Sequence, residues 1–360
     1  MTYADIIIPT RHRHDRLNTL LRCLDHQRLE NNDGFAVIIA FDGDRAPHDL
    51  YQPVDYGITT LDLPRVGISA AKNRAVAASR ADVLLLLNDD IEPAPDFVHH
   101  HLAAQRSGHP IVLGDTPFKP PPDPTLLDVC LARTEMIFSY ASLRAGRCHG
   151  FRTAWNLNLS VRRDLLTGFD GPFDESLRPF MYEDIELAHR LIGERPSVYF
   201  CPAARALHDH RYSIGDYFVR EAMLGVTAPL LAAANPDCFR TVFGQPLDRL
   251  MDTAKQAMPI DLPDARRTLS QLTTLAVQPC DSPGTETVEL FYRAHLPLKR
   301  RAFRCGLLAT ANNPRTHWTR RYHRAAQALR DDVIFGSLAS PPSPAHRNQP
   351  LHDHPDAVPA

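Results

Sequence analysis

The chain has 360 residues, 44% of them hydrophobic and 23% charged, which is the composition of a globular protein. Its 40 Lys and Arg residues nearly balance 42 Asp and Glu residues, so no global positive field favours nucleic acid, and nucleic acid is excluded as a partner. No apolar run reaches the roughly 20 residues of a membrane-spanning helix. The seven cysteines are scattered and odd in number, and the start of the chain is unlike a secretory signal. These features predict a cytoplasmic protein with reduced cysteines.

The first 115 residues alternate between strand and helix patterns. This order is typical of a mostly parallel sheet with helices on its faces. In such sheets ligands bind at the carboxyl ends of the strands, so the residues after each strand are candidates for function. The predicted strands are Asp5–Pro9, Phe35–Phe41, Gly57–Leu63, Asp82–Leu87 and Pro110–Gly114, and the predicted helices are Arg16–Arg28, Ser69–Ser79 and Pro95–Arg106.

The proline-rich residues 117–124 predict a loop, after which the pattern becomes more helical. The last 22 residues, 339–360, hold six prolines and little that is apolar, so they are predicted to be disordered. Between these segments the predicted elements are a helix over Leu126–Leu143, a strand over Ala154–Val161, a helix over Tyr182–Ile192, a strand over Ser197–Cys201, and helices from Tyr212 onward.

Acidic side chains follow two of the predicted strands. Asp42 follows the second strand, and Asn88, Asp89 and Asp90 follow the buried strand that ends at Leu87. Ionised carboxylates next to an apolar strand are costly unless a cation neutralises them, and all-oxygen ligands suit Mg²⁺ or Mn²⁺. A polar turn after a strand explains the same residues equally well.

Two helix starts also carry charged residues. Lys72 and Arg74 lie on the first turns of a helix that opens with a glycine and a serine, a pattern that favours phosphate but also fits an ordinary surface helix. Glu183 and Asp184 lie near the amino end of a later helix, where they either complement its dipole or supply a general base. The triplet His99–His101 falls within one helical turn, so it cannot converge on one metal and is predicted to face solvent.

Taken in order, these segments resemble family 2 of the glycosyltransferases, which are inverting enzymes with the GT-A fold. The resemblance covers about residues 4–215 and implies an α/β fold with a mostly parallel sheet flanked by helices. It implies a GT-A domain over residues 1–235, with a nucleotide-binding half at about 1–115 and an acceptor half at about 125–235. The residues beyond about 215 are outside the resemblance, and their helical pattern and basic composition predict a helical C-terminal extension over 236–338. The matching segments are Ile6–Thr10, Phe41–Gly43, Gly67–Arg74, Asn88–Asp90 with Glu92-Pro93, Asn158–Arg163 before Gly168–Asp170, Glu183-Asp184 and His208.

The resemblance also implies roles for donor-binding residues. Asn88–Asp90 is similar to the family's DxD element, with Asn88 in place of the first Asp and therefore one charge fewer. Asp90 is the implied metal ligand, with His208 as a third ligand or diphosphate contact and His210 as its substitute. The other implied donor contacts are Pro9, Thr10 and Arg11 lining the nucleotide pocket, Asp42 bonding the base, Asp89 near the ribose or sugar, and Lys72 and Arg74 near the diphosphate.

The implied reaction is metal-dependent transfer of a sugar from a nucleoside-diphosphate sugar to an acceptor hydroxyl, a hexosyltransferase-type reaction that uses Mn²⁺ or Mg²⁺. The implied catalytic pair is Glu183-Asp184, in which Asp184 deprotonates the acceptor. Trp155 and Asn156 are candidates for contact with a sugar, although a core tryptophan is the commoner explanation. The acceptor is left open among a glycan, a lipid-linked sugar and a small molecule.

Two other functions compete with this one. A nucleotidyltransferase would need a basic glycine-rich loop directly after the first strand, and Pro9-Thr10-Arg11-His12 has no glycine. A catalytically silent scaffold that binds nucleotide or sugar would be signalled by loss of Asp90 or Asp184, and both are present.

Residues 291–330 carry ten Arg or Lys and no Asp or Glu, alternating with aromatic side chains that include Trp318. This segment either contacts anionic lipid on the inner face of the membrane, as a peripheral protein does, or packs its apolar side on the catalytic domain.

Overall fold

The computed structural model describes residues 3–30, 33–178, 181–260, 262–280, 282–311 and 320–338. The predicted disordered tail at 339–360 lies outside the described residues. The strands are β1 Tyr3–Thr10, β2 Gly34–Asp42, β3 Gly57–Leu63, β4 Val83–Leu87, β5 Ile91–Pro93, β6 Ile111–Asp115, β7 Cys148–His149, β8 Asn158–Arg162 and β9 Val198–His208. The helices are α1 His14–Leu24, α2 Ile68–Ala78, α3 Phe97–Arg106, α4 Leu126–Arg133, α5 Glu183–Ile192, α6 Ile214–Ala234, α7 Pro236–Phe243, α8 Leu247–Ile260, α9 Leu262–Ala276, α10 Thr285–Ala311 and α11 Arg321–Asp331.

A central sheet in the order β3-β2-β1-β4-β8-β6-β9-β5 organises the fold, with β7 paired to β9. The four strands β3, β2, β1 and β4 are parallel, whereas β8 runs antiparallel to both β4 and β6. All five residues of β4 are buried, as expected for a strand covered on both faces. The predicted α/β class, a mostly parallel sheet with a helical C-terminal region, is confirmed.

The side chains of β1 alternate between two cores, because successive residues of a strand point to opposite faces. Ile7 packs in a core that includes α2 and α5, whereas Ile6 and Ile8 pack with α1 and α3. Helices therefore cover both faces of the sheet. At the edge of the sheet where the carboxyl ends of β1, β2 and β4 meet, polar side chains follow the strands.

Two predicted elements differ most in length from the structure. The helix predicted over Leu126–Leu143 ends at Arg133, because Thr134 adopts an extended backbone and its hydroxyl bonds the carbonyl of Cys130. The strand predicted over Ser197–Cys201 continues to His208 as β9, since its second half pairs with β5. β5 was not predicted, and its three residues are too short for a periodic signal.

The prediction that His99–His101 face solvent is wrong for His101. His101 is only 1% exposed, and its two ring nitrogens lie 3.0 Å from Ser160 Oγ and 2.7 Å from Asn158 Oδ1. Burial lowers the pKa of His101 to about 4, so it is neutral and joins α3 to β8 through hydrogen bonds. A buried polar partner on another strand is invisible in a local helical pattern.

The C-terminal helices form a second core with segments before residue 235. α10 crosses α6 closely: a Cβ on Gly306 would lie 1.9 Å from the carbonyl oxygen of Ala222, and one on Gly225 would lie 2.0 Å from that of Phe303. The same core includes α4 side chains and residues of α9 and α11. The extension is thus packed directly against the sheet domain, while the domain boundaries themselves stay predictions.

Described residues of the basic segment 291–330 turn several cations inward. Lys299 donates to the carbonyl of Met136, and Arg301 is buried in a bidentate pair with Asp332. Phe291 and Leu298 are buried in the second core. Through these contacts the described part of the segment packs on the rest of the protein. Trp318 lies outside the described residues. Within the described part of the chain, no helix is both long and apolar enough to cross a membrane.

Candidate active site

The first half of the site follows from the pairing of β1 with β4. Ile7 is opposite Leu86, so three residues further on Thr10 and Asp89 leave the sheet side by side. The hydroxyl of Thr10 donates to Asp89 Oδ2 at 2.8 Å. The structure therefore brings together two residues that the sequence assigned separately to the nucleotide pocket and the DxD-like element.

The second half follows from the pairing of β5 with β9. Ile91 is opposite His208, and the amide of Asp209 donates to the carbonyl of Asp90 at 2.8 Å. His208 Nε2 consequently lies 3.4 Å from Asp90 Oδ1, and His210 Nδ1 lies 3.2 Å from Asp90 Oδ2. The ring of His208 is fixed by stacking on Phe118, with centroids 4.9 Å apart. Both histidines thus converge on one carboxylate.

These three residues fit a divalent cation. One ligand atom from each of Asp90, His208 and His210 lies within 4.8 Å of the other two. Asp90 and His208 are only 3% and 5% exposed, and Asp90 Oδ1 makes no hydrogen bond with any residue that the structure describes. Burial lowers the pKa of His210 to about 4, which leaves its ring neutral and able to bind metal. Two imidazoles beside one carboxylate suit Mn²⁺ better than Mg²⁺, which prefers oxygen.

Two arginines that the sequence analysis missed approach the same carboxylates. Arg13 Nη1 lies 3.0 Å from Asp89 Oδ1 and 3.1 Å from Asp90 Oδ2, and Arg16 Nη1 lies 3.7 Å from Asp90 Oδ2. Burial alone would raise the pKa of Asp90, but His208, His210 and Arg13 hold it well below its usual range. Burial raises the pKa of Asp89, although Arg13 opposes the shift. The only signal in the sequence was the basic run after β1.

Asp42 occupies the gap between β2 and α2. Its carboxylate accepts hydrogen bonds from the amides of Val66, at 2.5 Å, and Gly67, at 3.1 Å. Gly67 has a φ of 90°, a conformation that favours glycine, and this places its amide toward Asp42 at the start of α2. In the structure Asp42 thus anchors the helix, and its predicted bond to a base stays a prediction.

Lys72 and Glu183 form a buried ion pair between α2 and α5. Lys72 Nζ lies 3.1 Å from Glu183 Oε1, and the two residues are 2% and 6% exposed. The ammonium also lies 5.1 Å from the centre of the Phe173 ring. Arg74, by contrast, is exposed, and its Nη1 makes a longer contact of 3.7 Å with Glu175 Oε1. Of the two cations assigned to the diphosphate, the structure therefore connects only Lys72 to the predicted catalytic pair.

Asp184 follows a strained turn. Met181 and Tyr182 have positive φ values of 84° and 68°, which residues other than glycine rarely adopt. Helix α5 begins at the next residue. Burial, together with the neighbouring charge of Glu183, raises the pKa of Asp184 to about 6, although Lys72 lowers it. A carboxylate with a pKa near the working pH is suited to general-base catalysis.

The remaining predicted residues lie around these two groups. Pro9 and Arg11 are partly buried on either side of Thr10, and Asn88 is partly buried at the end of β4. Trp155 is partly buried with its ring centre 5.3 Å from that of Phe138, in an aromatic cluster that also includes His208. Asn156 is buried, and its Nδ2 has no hydrogen-bond partner among the described residues.

Comparison with known proteins gives a family match. Residues 5–160 match the model of glycosyl transferase family 2. The pre-mycofactocin glycosyltransferases of two Mycobacterium tuberculosis strains, CDC 1551 / Oshkosh and ATCC 25618 / H37Rv, are 27% identical over 251 residues, which are 64% of this chain and 48% of each relative. The chain therefore spans about half the length of the curated relatives it matches.

Solved structures give weaker likenesses. S. aureus TarS 1-349 has 13% identity and a TM-score of 0.43, over 88% of this chain and 93% of that one. A mannosyltransferase from Pyrobaculum calidifontis, PcManGT in complex with GDP-Man and Mn²⁺, has 14% identity and a TM-score of 0.42, over 96% and 77%.

The family match begins in β1 and ends within β8, so it contains Thr10, the acidic residues after β4, and the α2 segment that pairs with Glu183. These are several of the segments on which the sequence resemblance depends, while Glu183-Asp184 and His208 lie beyond the matched residues. Residues 5–160 therefore match glycosyltransferase family 2, the family that the sequence motifs resemble, and these comparisons support a glycosyltransferase.

Proposed function

We propose that this glycosyltransferase is metal-dependent and inverting, and that it transfers a sugar from a nucleoside-diphosphate sugar to an acceptor hydroxyl. The observation that carries the proposal is the convergence of Asp90, His208 and His210 at the carboxyl edge of the sheet, with their ligand atoms within 4.8 Å of one another. Ligand sites at this edge are the rule in open α/β sheets.

Asp90 and His208 would hold the metal, with His210 as a further ligand. When bound there, a divalent cation supplies Lewis-acid stabilisation of negative charge on a leaving diphosphate. Thr10 fixes the carboxylate of the neighbouring Asp89 through its hydroxyl, so the acidic pair has one orientation before any ligand arrives. That preorganisation lowers the cost of binding.

Asp184 would act as the base. In its ionised form it takes the proton from the acceptor hydroxyl as the oxygen attacks the anomeric carbon, and the bond to the diphosphate oxygen breaks. The electron pair of that bond leaves with the nucleoside diphosphate. A single displacement of this kind inverts the configuration of the anomeric carbon. Glu183 is committed to Lys72, so the proton-transfer role falls to Asp184 rather than to its neighbour.

The acceptor is a glycan, a lipid-linked sugar or a small molecule. Pre-mycofactocin, after which the curated relatives are named, is also a candidate. The cytoplasmic location and the peripheral membrane contact of residues 291–330 stay predictions.

The proposal is tested by thermal shift with UDP, dTDP, GDP and ADP, each with and without Mn²⁺. We expect one nucleotide to stabilise the protein only when Mn²⁺ is present, by about 2.7 kcal/mol at a hundredfold excess over Kd. Asp90→Ala should lose this shift, measured against its own unliganded Tm. Asp237→Ala, which changes an exposed carboxylate on α7, is the control and should keep it. An equal Mn²⁺-dependent shift in Asp90→Ala would contradict the metal assignment, and no shift with any nucleotide would contradict the proposed sugar-nucleotide donor.

A further inference from the structure

We propose that Arg13 and Arg16 couple metal binding to diphosphate binding. Without a diphosphate, the two guanidinium groups neutralise the acidic pair and weaken its affinity for a divalent cation. When a diphosphate is present, they bind it and leave Asp90 to the metal. This inference rests on the proposed function, and neither arginine belongs to the motifs that identified the family.

The contacts of Arg13 place it in direct competition with a metal. Its Nη1 bridges Asp89 Oδ1, at 3.0 Å, and Asp90 Oδ2, at 3.1 Å. Thr10 holds the second oxygen of Asp89 at 2.8 Å. The guanidinium therefore takes the position between the carboxylates that a shared cation would otherwise take. A metal can bind both oxygens of Asp90 only if Arg13 gives up its hydrogen bond to Asp90 Oδ2 and binds another anion instead.

Arg16 is oriented toward the same place without a hydrogen bond of its own. Its Nη1 is buried and lies 3.7 Å from Asp90 Oδ2, beyond hydrogen-bond distance, and it donates to no atom of the described residues. A buried guanidinium nitrogen with an unused donor is poised for an oxyanion, and arginine binds phosphate oxygens with a geometry that lysine cannot match. Both arginines lie at the start of α1, whose dipole also favours an anion there.

The charges explain why the two ligands should depend on each other. With Asp89 and Asp90 ionised, the charges of the two carboxylates and the two guanidinium groups sum to zero. A divalent cation alone adds two uncompensated charges to a buried site, which is unfavourable in a low-dielectric environment. A diphosphate bound together with the cation restores the balance. The site should therefore bind the pair much better than the metal alone.

The test measures two ligands separately on the full chain, using Mn²⁺ alone by electron paramagnetic resonance and inorganic pyrophosphate alone by calorimetry. We expect Arg16→Gln to bind Mn²⁺ more tightly and pyrophosphate more weakly, each by about tenfold or more, because one unit of positive charge is removed beside Asp90. Arg16→Lys keeps the charge and is the matched control, with Mn²⁺ affinity near that of wild type. Like Arg16→Gln, Arg13→Gln should bind Mn²⁺ more tightly and pyrophosphate more weakly.

Opposite changes in the two affinities support the coupling. If Arg16→Gln and Arg13→Gln leave Mn²⁺ affinity unchanged, or weaken both ligands together, the coupling is wrong. Failure of the proposed function looks different: wild type would then bind no Mn²⁺ even in the presence of every nucleoside diphosphate. Circular dichroism of each variant confirms that the fold is kept, so that a loss of binding is not a loss of structure.

Discussion

Asp184→Asn is expected to slow sugar transfer by about 10²–10⁴-fold while leaving nucleotide binding unchanged, because it removes only the proton acceptor. Asparagine has nearly the same shape and can still accept the amide hydrogen bond of Ile185, which Asp184 Oδ1 accepts at 2.8 Å. The thermal-shift assay identifies the nucleoside diphosphate that binds, and the corresponding sugar nucleotide is the substrate. The measurement is the release of nucleoside diphosphate from it, with water as the acceptor. Asp237→Asn, a change to an exposed carboxylate on α7, is the matched control.

The pH dependence gives a second check on the same residue. A base must be ionised to work, and Asp184 has a pKa raised to about 6. The wild-type kcat/KM should therefore rise with pH through about 6 and level off above it, and fall as the pH drops below that value. Asp184→Asn should lose this acidic limb. Turnover of Asp184→Asn within a few-fold of wild type, with the limb intact, would exclude Asp184 as the base.

Lys72→Met is expected to destabilise the protein by about 3–5 kcal/mol, because it leaves the buried carboxylate of Glu183 without its partner. The double variant Lys72→Met/Glu183→Met removes both charges and should recover most of this loss. Urea unfolding of the single and double variants measures the free energy of unfolding directly. Loss of Lys72 should also raise the pKa of Asp184 further, since the lysine charge lowers it.

Arg74→Met is the matched control for Lys72→Met. It removes a cation two residues further along α2, but from an exposed side chain 3.7 Å from Glu175, and such changes alter stability by about 0.5 kcal/mol or less. If Lys72→Met were no more destabilising than Arg74→Met, and instead weakened pyrophosphate binding, Lys72 would be a diphosphate contact, as its sequence position suggested. The structure favours a structural role, because its Nζ already lies 3.1 Å from Glu183.

The sheet was predictable from sequence because its central strands are continuous apolar runs. β4 is five buried aliphatic residues, a run of the length typical of a strand and shorter than most helices. The end of α4 was not predictable, because the apolar residues Met136–Phe138 follow Thr134 as they would in a continuing helix. His101 was misplaced for a related reason: its partners Asn158 and Ser160 are 57 and 59 residues away.

The candidate site was only partly predictable, since its contacts cross long stretches of chain. Asp90 and His208 were proposed from motif positions, but the pairing of β5 with β9 that joins them involves a three-residue strand. Lys72 and Glu183 are 111 residues apart, and Arg13 and Asp89 are 76 apart. No local pattern shows that a lysine will be buried or that an arginine will meet a carboxylate at that distance.

The most direct test of the metal-dependent mechanism is crystallographic. Crystals grown with Mn²⁺ and the nucleoside diphosphate that gives the thermal shift are measured at the manganese absorption edge. We expect an anomalous difference peak within bonding distance of Asp90 and His208, in contact with the diphosphate oxygens. A bound nucleotide with no manganese at these residues, or with manganese bound elsewhere, would contradict the proposed metal site.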